Sequence, residues 1–486
     1  MELYYLGARE LARMLRARQV SAREVMRAHL DRINALNPTI NAIVAKLDDE
    51  RCLALADEAD ARRARGDNVG PLHGLPFAFK DIQDAVGFPN TCGSPIYAHH
   101  MPTADSVFVD RIRKAGVIPI GKTNVPEFAM GSHTYNKVYG TTRNPYDLSK
   151  TAGGSSGGAA AALAAGLLPL ADGTDLGGSL RNPGNFNNVV GFRPSIGAVP
   201  SDPDTLPGIN FSVNGPLARN VDDVAFFFGV IASARLRGSE SPAASARSRR
   251  SSHGIPTERR RMPTMPTLPG APRVRVAWSL DLGGLPLDAR VREVLEPHRK
   301  TLEELGCEVH DACPDLGDAD EIFLTMRRFR SFRKYGALLR DHRAQLKPEA
   351  IDEIEEGARV TEEQVARATR LHARLRDQTR RFFDKYDILA CAVNQVPPFD
   401  ADLDWPKAID GTPMHLYTDW MKSAYQISVL SGPAISVPCA FTHDDLPVGL
   451  QLVSKRGDDE RLLEFARSFE NASETVKTRP NLIRQC

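Results

Sequence analysis

From Leu72 onward, short apolar runs alternate with helical stretches and glycine-rich turns: Leu75 to Phe79, Val117 to Ile120, Leu167 to Leu170, then Val274 to Trp278, Ile388 to Val393 and Ala434 to Val437. An alternation of this kind buries strands between helices and predicts an α/β fold. Ahead of it, Leu11, Met14, Leu15 and then Val25, Ala28, Leu30 and Ile33 recur at helical spacing, so residues 7 to 36 read as two amphipathic helices. Ser21 is placed to cap the second, with Glu24 completing a capping box. A third helix is expected over 50 to 65, and charged helices over 289 to 305, 320 to 345 and 362 to 385.

The segment 233 to 273 breaks the pattern. It is crowded with Ser, Pro and Arg, including Arg247, Arg249, Arg250, Arg259, Arg260 and Arg261, and is too poor in large apolar residues to pack a core. It reads as a mobile internal loop, with an arginine-rich partner site as the alternative. Elsewhere 42% hydrophobic and 25% charged residues suffice for a large core, and 62 basic against 61 acidic residues leave no positive excess for nucleic-acid binding. The run Ala159 to Ala171 is interrupted by Gly166 and Pro169 and is shorter than the ~20 residues that span a bilayer, so it reads as a buried helix rather than a membrane anchor. The start of the chain lacks the basic and apolar regions of an export signal, and the seven cysteines include no CxxC pair. A cytoplasmic protein with reduced thiols is expected.

Two motif matches are set aside on physical grounds. Gly116-Val-Ile-Pro-Ile-Gly121-Lys122-Thr123 fits the phosphate-binding GxxxxGK[ST] pattern, yet Val117 to Ile120 reads as a strand and Pro119 has no N–H to offer a phosphate. Gly154-Ser155-Ser156-Gly157-Gly158 fits the GxSxG nucleophile elbow, but the preceding Asn144 to Thr151 is polar and turn-forming where a buried strand is required. His99 and His100 lack further ligands at helical spacing, so no metal site is read there.

The informative stretch runs from Gly153 to Pro194. It reads Gly-Gly-Ser155-Ser156-Gly-Gly, a small-residue helix, Gly173-Thr-Asp-Leu-Gly-Gly-Ser179-Leu-Arg-Asn-Pro, and Val190-Gly-Phe-Arg-Pro. This stretch resembles the amidase signature. The likeness continues upstream in Gly74-Leu-Pro-Phe-Ala-Phe-Lys80-Asp81 and Gly121 to Gly131, and downstream in Gly432 to Pro438 and Leu446 to Gln451. It therefore spans most of 1–486.

The resemblance implies one large α/β domain, a mixed central sheet covered by helices on both faces, with the helices of 1–65 packed outside. It also implies hydrolysis of carboxylic amides through a serine acyl-enzyme, with no metal or organic cofactor. Ser179 corresponds to the nucleophile, Lys80 to the base, and Ser155 to the cis-peptide serine that relays a proton between them. Burial suits Lys80 to this role, because a solvated amine stays protonated at neutral pH. The backbone N–H groups of Leu176, Gly177, Gly178 and Ser179 would form the oxyanion hole, where one donor contributes roughly 3 to 4 kcal/mol. Ser156 takes a supporting role, Asp175 and Arg181 would pair to stiffen the nucleophile loop, and Met130 and Thr174 are expected pocket neighbours.

Trp405, Tyr417 and Trp420 are candidates to line an acyl or aryl pocket, with a place in the core as the alternative; a small aryl or alkyl amide, carbamate or ester is the expected substrate. Two alternatives stand beside this reading: the amidase-type subunit of a tRNA-dependent amidotransferase, and a catalytically inactive binding protein. The assembly is left open, a homodimer included.

Overall fold

The computed structural model describes residues 2–233, 273–473, 478–480 and 482. The Arg-, Ser- and Pro-rich stretch therefore lies almost wholly outside the described residues. The main sheet has eight strands, in the order Glu308–Asp311, Arg275–Trp278, Ile388–Ala392, Pro447–Val453, Ala434–Phe441, Val190–Arg193, Val213–Ala218, Ala171–Asp175. Its first three strands are mutually parallel and every later pairing is antiparallel, so the sheet is mixed.

Alternation along the central strands explains why both faces are covered. Ile388, Ala390 and Ala392 join a core that includes the N-terminal helices and the helices Val221–Ile231 and Asp459–Ser473. Leu389 and Cys391 point into a second core, beneath Ala319–His342, Glu362–Phe383 and Lys422–Val429. A strand buried on both sides reads as a continuous apolar run, as these do.

A separate three-stranded sheet, ordered Ile43–Val44, Ile118–Thr123, Pro76–Lys80, lies against the main one. Its edge strand Pro76–Lys80 packs beside Ala171–Asp175, the edge strand of the larger sheet. No strand ladder joins the two. Instead the Lys80 N–H donates to Asp172 Oδ1 at 2.9 Å, so a buried carboxylate satisfies an edge amide that would otherwise be orphaned. The helix Gly157–Ala164 packs over the smaller sheet at backbone distance. A Cβ at Gly158 would sit 2.3 Å from the Asn124 nitrogen, which is why glycine stands at that position.

The Ser21–Glu24 capping box forms and starts the helix Ala22–Ile40. Two expectations are corrected. Leu167 to Leu170 is a buried loop, and the strand follows it at Ala171–Asp175. The helix expected over 289 to 305 is two helices, Ala289–Leu295 and His298–Glu304, because Pro297 between them has no N–H with which to continue the first. Lys122 sits inside the strand Ile118–Thr123, fully buried and 3.7 Å from Asp81, so the GxxxxGK[ST] match forms no phosphate-binding loop. Among the described residues no helix is long and apolar enough to cross a membrane.

Candidate active site

Pro76–Lys80 ends with its lysine aimed between the two sheets. The Lys80 side chain is wholly buried, and Nζ donates to Ser155 Oγ at 2.7 Å, Ser156 Oγ at 2.8 Å and Thr174 Oγ1 at 2.8 Å. An ammonium has three protons to donate, and three hydroxyls receive them. Each hydroxyl can also donate, so when the amine is neutral one contact reverses and no group is left unsatisfied. This arrangement accepts both charge states. Burial lowers the Lys80 pKa to about 7, against the opposing pull of Asp172 and Asp175. A neutral amine is thereby available at physiological pH.

Ser155 and Ser156 stand at the start of the helix Gly157–Ala164. Ser156 occupies the cap position without capping, since its hydroxyl is engaged by Lys80 instead. The peptide bond between Gly154 and Ser155 is cis. Ser179 follows the end of Ala171–Asp175 and precedes the short helix Arg181–Phe186; the two segments meet where the Ser156 N–H donates to the Ser179 carbonyl at 3.3 Å. Ser155, Thr174, Leu176, Gly177 and Ser179 all line one cavity of about 530 Å³. Ser179 is 8% exposed, enough to present its hydroxyl at the floor of that cavity.

Asp175 fixes the turn between strand and helix. Its carboxylate accepts from Arg181 Nε and Nη2, both at 3.0 Å, from Arg193 Nη1 at 3.1 Å, and from the backbone N–H groups of Gly178 at 2.8 Å and Leu180 at 3.2 Å. Burial alone would raise its pKa, but the two guanidiniums and these amides hold it well below the carboxylate range. Arg181 is further tied to the Ala424 carbonyl, Gln451 and Ser428, so the expected stiffening pair is a buried network.

This network engages one of the four amides expected at the oxyanion hole. The Gly178 N–H donates to Asp175, and Gly178 adopts a left-handed conformation at φ +120°. The N–H groups of Leu176, Gly177 and Ser179 have no hydrogen-bond acceptor among the described residues, and all three residues line the cavity. Gly177 has no room for a side chain: a Cβ would lie 2.6 Å from Phe323 Cζ and 3.1 Å from Tyr425 Cβ.

Met130 lines the same cavity, and its carbonyl accepts from Lys347 Nζ at 2.6 Å. Of the three aromatics, Trp420 takes the core alternative, stacked on Phe186 at 6.0 Å and edge-on to Phe399, while Trp405 and Tyr417 pack against each other and do not line the cavity. The cavity wall is formed instead by Phe128, stacked on Tyr335 at 4.5 Å, by Phe323, and by the loop from Ser201 to Ser212. That loop is held by Arg330, whose Nη2 donates to Asp204 at 2.8 and 2.7 Å. His99 and His100 are exposed, and among the described residues no cluster of three or more metal-ligating side chains occurs.

Asp172 went unremarked in the sequence. It shares a strand face with Thr174, two residues on, and that spacing toward the lysine strand is the signal that could have found it.

The geometry has clear relatives. The amidase family profile matches residues 24–463. An acylamidase from Rhodococcus erythropolis is 33% identical over 472 residues, which cover 96% of this chain and 95% of that one. A glutamyl-tRNA(Gln) amidotransferase subunit from Acidothermus cellulolyticus is 33% identical over 498 residues, covering 95% and 93%. A crystal structure of a bacterial aryl acylamidase of the amidase signature enzymes superposes with a TM-score of 0.83 at 26% identity, over 98% of this chain and 99% of that one. With the signature block and its flanking blocks carried on the matching fold, this chain belongs to the amidase family.

Proposed function

We propose that this amidase hydrolyses a small acyl or aryl amide, with Ser179 as nucleophile, Lys80 as base and Ser155 as the relay between them. The observation that carries the reading is the buried Lys80 amine, hydrogen-bonded to Ser155 beside a cavity into which Ser179 opens. Neutral Lys80 takes the Ser155 proton as Ser155 takes that of Ser179, and Ser179 Oγ attacks the amide carbonyl. The carbonyl oxygen becomes an oxyanion facing the N–H groups of Leu176, Gly177 and Ser179. As the tetrahedral adduct collapses, the proton returns through Ser155 to the departing nitrogen, leaving an acyl-Ser179 ester and a free amine or ammonia. Water, deprotonated by the same relay, then releases the carboxylate and regenerates Ser179.

Phe128, Tyr335 and Phe323 in the cavity wall and the acylamidase relative support an acyl or aryl amide. The test is Ser179→Ala, expected to abolish both turnover on a panel of anilides and alkyl amides and covalent labelling by a fluorophosphonate. Full labelling of that variant would transfer the nucleophile role to Ser156.

The amidotransferase relative at equal identity favours a second reading, a glutaminase subunit that acts with a partner. Glutamine hydrolysis that appears only in a co-purified complex, with anilides inert, would select it.

A further inference from the structure

Seven ionisable side chains lie together behind the cavity, all wholly buried: the bases Lys80, Lys122, Arg181 and Arg193, and the acids Asp81, Asp172 and Asp175. Lys122 stands 3.7 Å from Asp81, and Asp175 serves both arginines. Asp172 is the one acid of the seven without a base in ion-pair range. One of its oxygens holds the Lys80 N–H, and the other, Oδ2, has no hydrogen-bond partner among the described residues. Removing a carboxylate from water without a cationic partner is costly.

We propose that Asp172 is a positioning residue for the reaction: its buried carboxylate seats the Lys80 backbone and balances the charge around the Lys80 amine. This inference rests on Lys80 acting as the base.

The charge count motivates it. With the Lys80 amine neutral, three cations face three carboxylates and the buried cluster is electroneutral. With Asp172 uncharged, the same state carries one excess positive charge, and protonating Lys80 would make two. The charged groups that face Asp172 are Lys80, from the neighbouring edge strand, and Lys122, from the strand beyond it; those that face the Lys80 amine are Asp172 and Asp175. Burial raises Asp172 to about 6, against the pull of the Lys80 N–H and of both lysines. The carboxylate is therefore ionised in the range where Lys80 works. Loss of that charge disfavours the Lys80 ammonium, so the amine becomes free at lower pH, although it is then a weaker base.

The experiment follows the rate of fluorophosphonate labelling against pH for the wild type, Asp172→Asn, Asp172→Ser and Lys80→Met. Asn and Ser each keep an acceptor for the Lys80 N–H and remove the charge. The acid limb of both variants is expected to move toward acid by about one pH unit, the size of effect of one nearby opposite charge. Wild-type-shaped profiles in both variants, whatever the plateau, would overturn the proposal, and so would collapse of both variants, which would mark Asp172 as structural only. Lys80→Met separates the two levels. Rapid labelling of that variant would overturn the role of Lys80 itself, whereas an inert Lys80→Met beside unshifted Asp172 profiles overturns only the inference about Asp172.

Discussion

Lys80 should reveal itself in stability as well as in rate. Its pKa falls from 10.5 to about 7 on folding, because burial disfavours the ammonium. Between those values the unfolded chain holds a proton that the folded chain has released, so the stability of the wild type rises with pH across that window. The burial penalty is fully present below about pH 7 and is relieved as pH climbs toward 10.5. The difference of roughly 3.5 units, at about 1.36 kcal/mol each, amounts to nearly 5 kcal/mol in total. Lys80→Met keeps the length of the side chain and removes the titration. Its absolute stability is not diagnostic, since three hydroxyls lose a partner at about 1 to 3 kcal/mol each if they fail to pair anew. The slope is diagnostic. Urea unfolding of both proteins from pH 7.5 to 10 should show the wild type gaining on the variant by about 1.4 kcal/mol per pH unit, or roughly 3 kcal/mol over the range. Asp172, on which Lys80 acts, titrates at about 6 in the wild type, below this range, and the remaining groups are common to the two proteins. Parallel curves would refute the argument, because they would mean that the amine keeps its proton in the folded state and cannot serve as a base near neutrality.

Asp175→Asn should lower stability by about 3 to 5 kcal/mol, since it leaves Arg181 and Arg193 buried without their shared carboxylate. Thermal unfolding at pH 7 checks this, and the labelling rate should fall with it as the Gly178 and Leu180 amides lose their anchor. Gly177→Ala forces a methyl to 2.6 Å from Phe323, and that ring cannot easily retreat because it stacks on Tyr425 at 4.4 Å. A loss of about 1 to 3 kcal/mol in stability and a greater than ten-fold fall in kcat/KM are expected, the latter from displacement of the Gly177 N–H. A variant with unchanged kcat/KM would remove that amide from the oxyanion site.

What the sequence disclosed and what it hid divide along a physical line. Pro76–Lys80 and Ile388–Ala392 were legible because a strand buried on both faces writes itself as an apolar run. The Gly-Ser blocks were legible because backbones that approach within contact distance admit little else, as at Gly158 and Gly177. Ala171–Asp175 was misplaced by four residues. Its composition, Ala-Asp-Gly-Thr-Asp, has little intrinsic strand preference, and pairing with Val213–Ala218 decides its conformation.

The partner of the Gly178 amide was hidden for a related reason. A spacing can say that amides are present, but only the folded turn shows that this one donates to Asp175. The cavity wall was hidden because Phe128, the loop from Ser201 to Ser212 and the helix carrying Phe323 and Arg330 converge from three distant parts of the chain. Asp172 shows the limit most clearly. Alone in a small-residue stretch it is an unremarkable acid, and its meaning comes from a lysine 92 positions earlier whose amide and amine it faces at once. The sequence thus carries the proposed reacting groups as local blocks, while Asp172 meets Lys80 through a contact between edge strands of two different sheets. A substitution at Asp172 should accordingly change how the rate depends on pH before it changes which amide is cleaved.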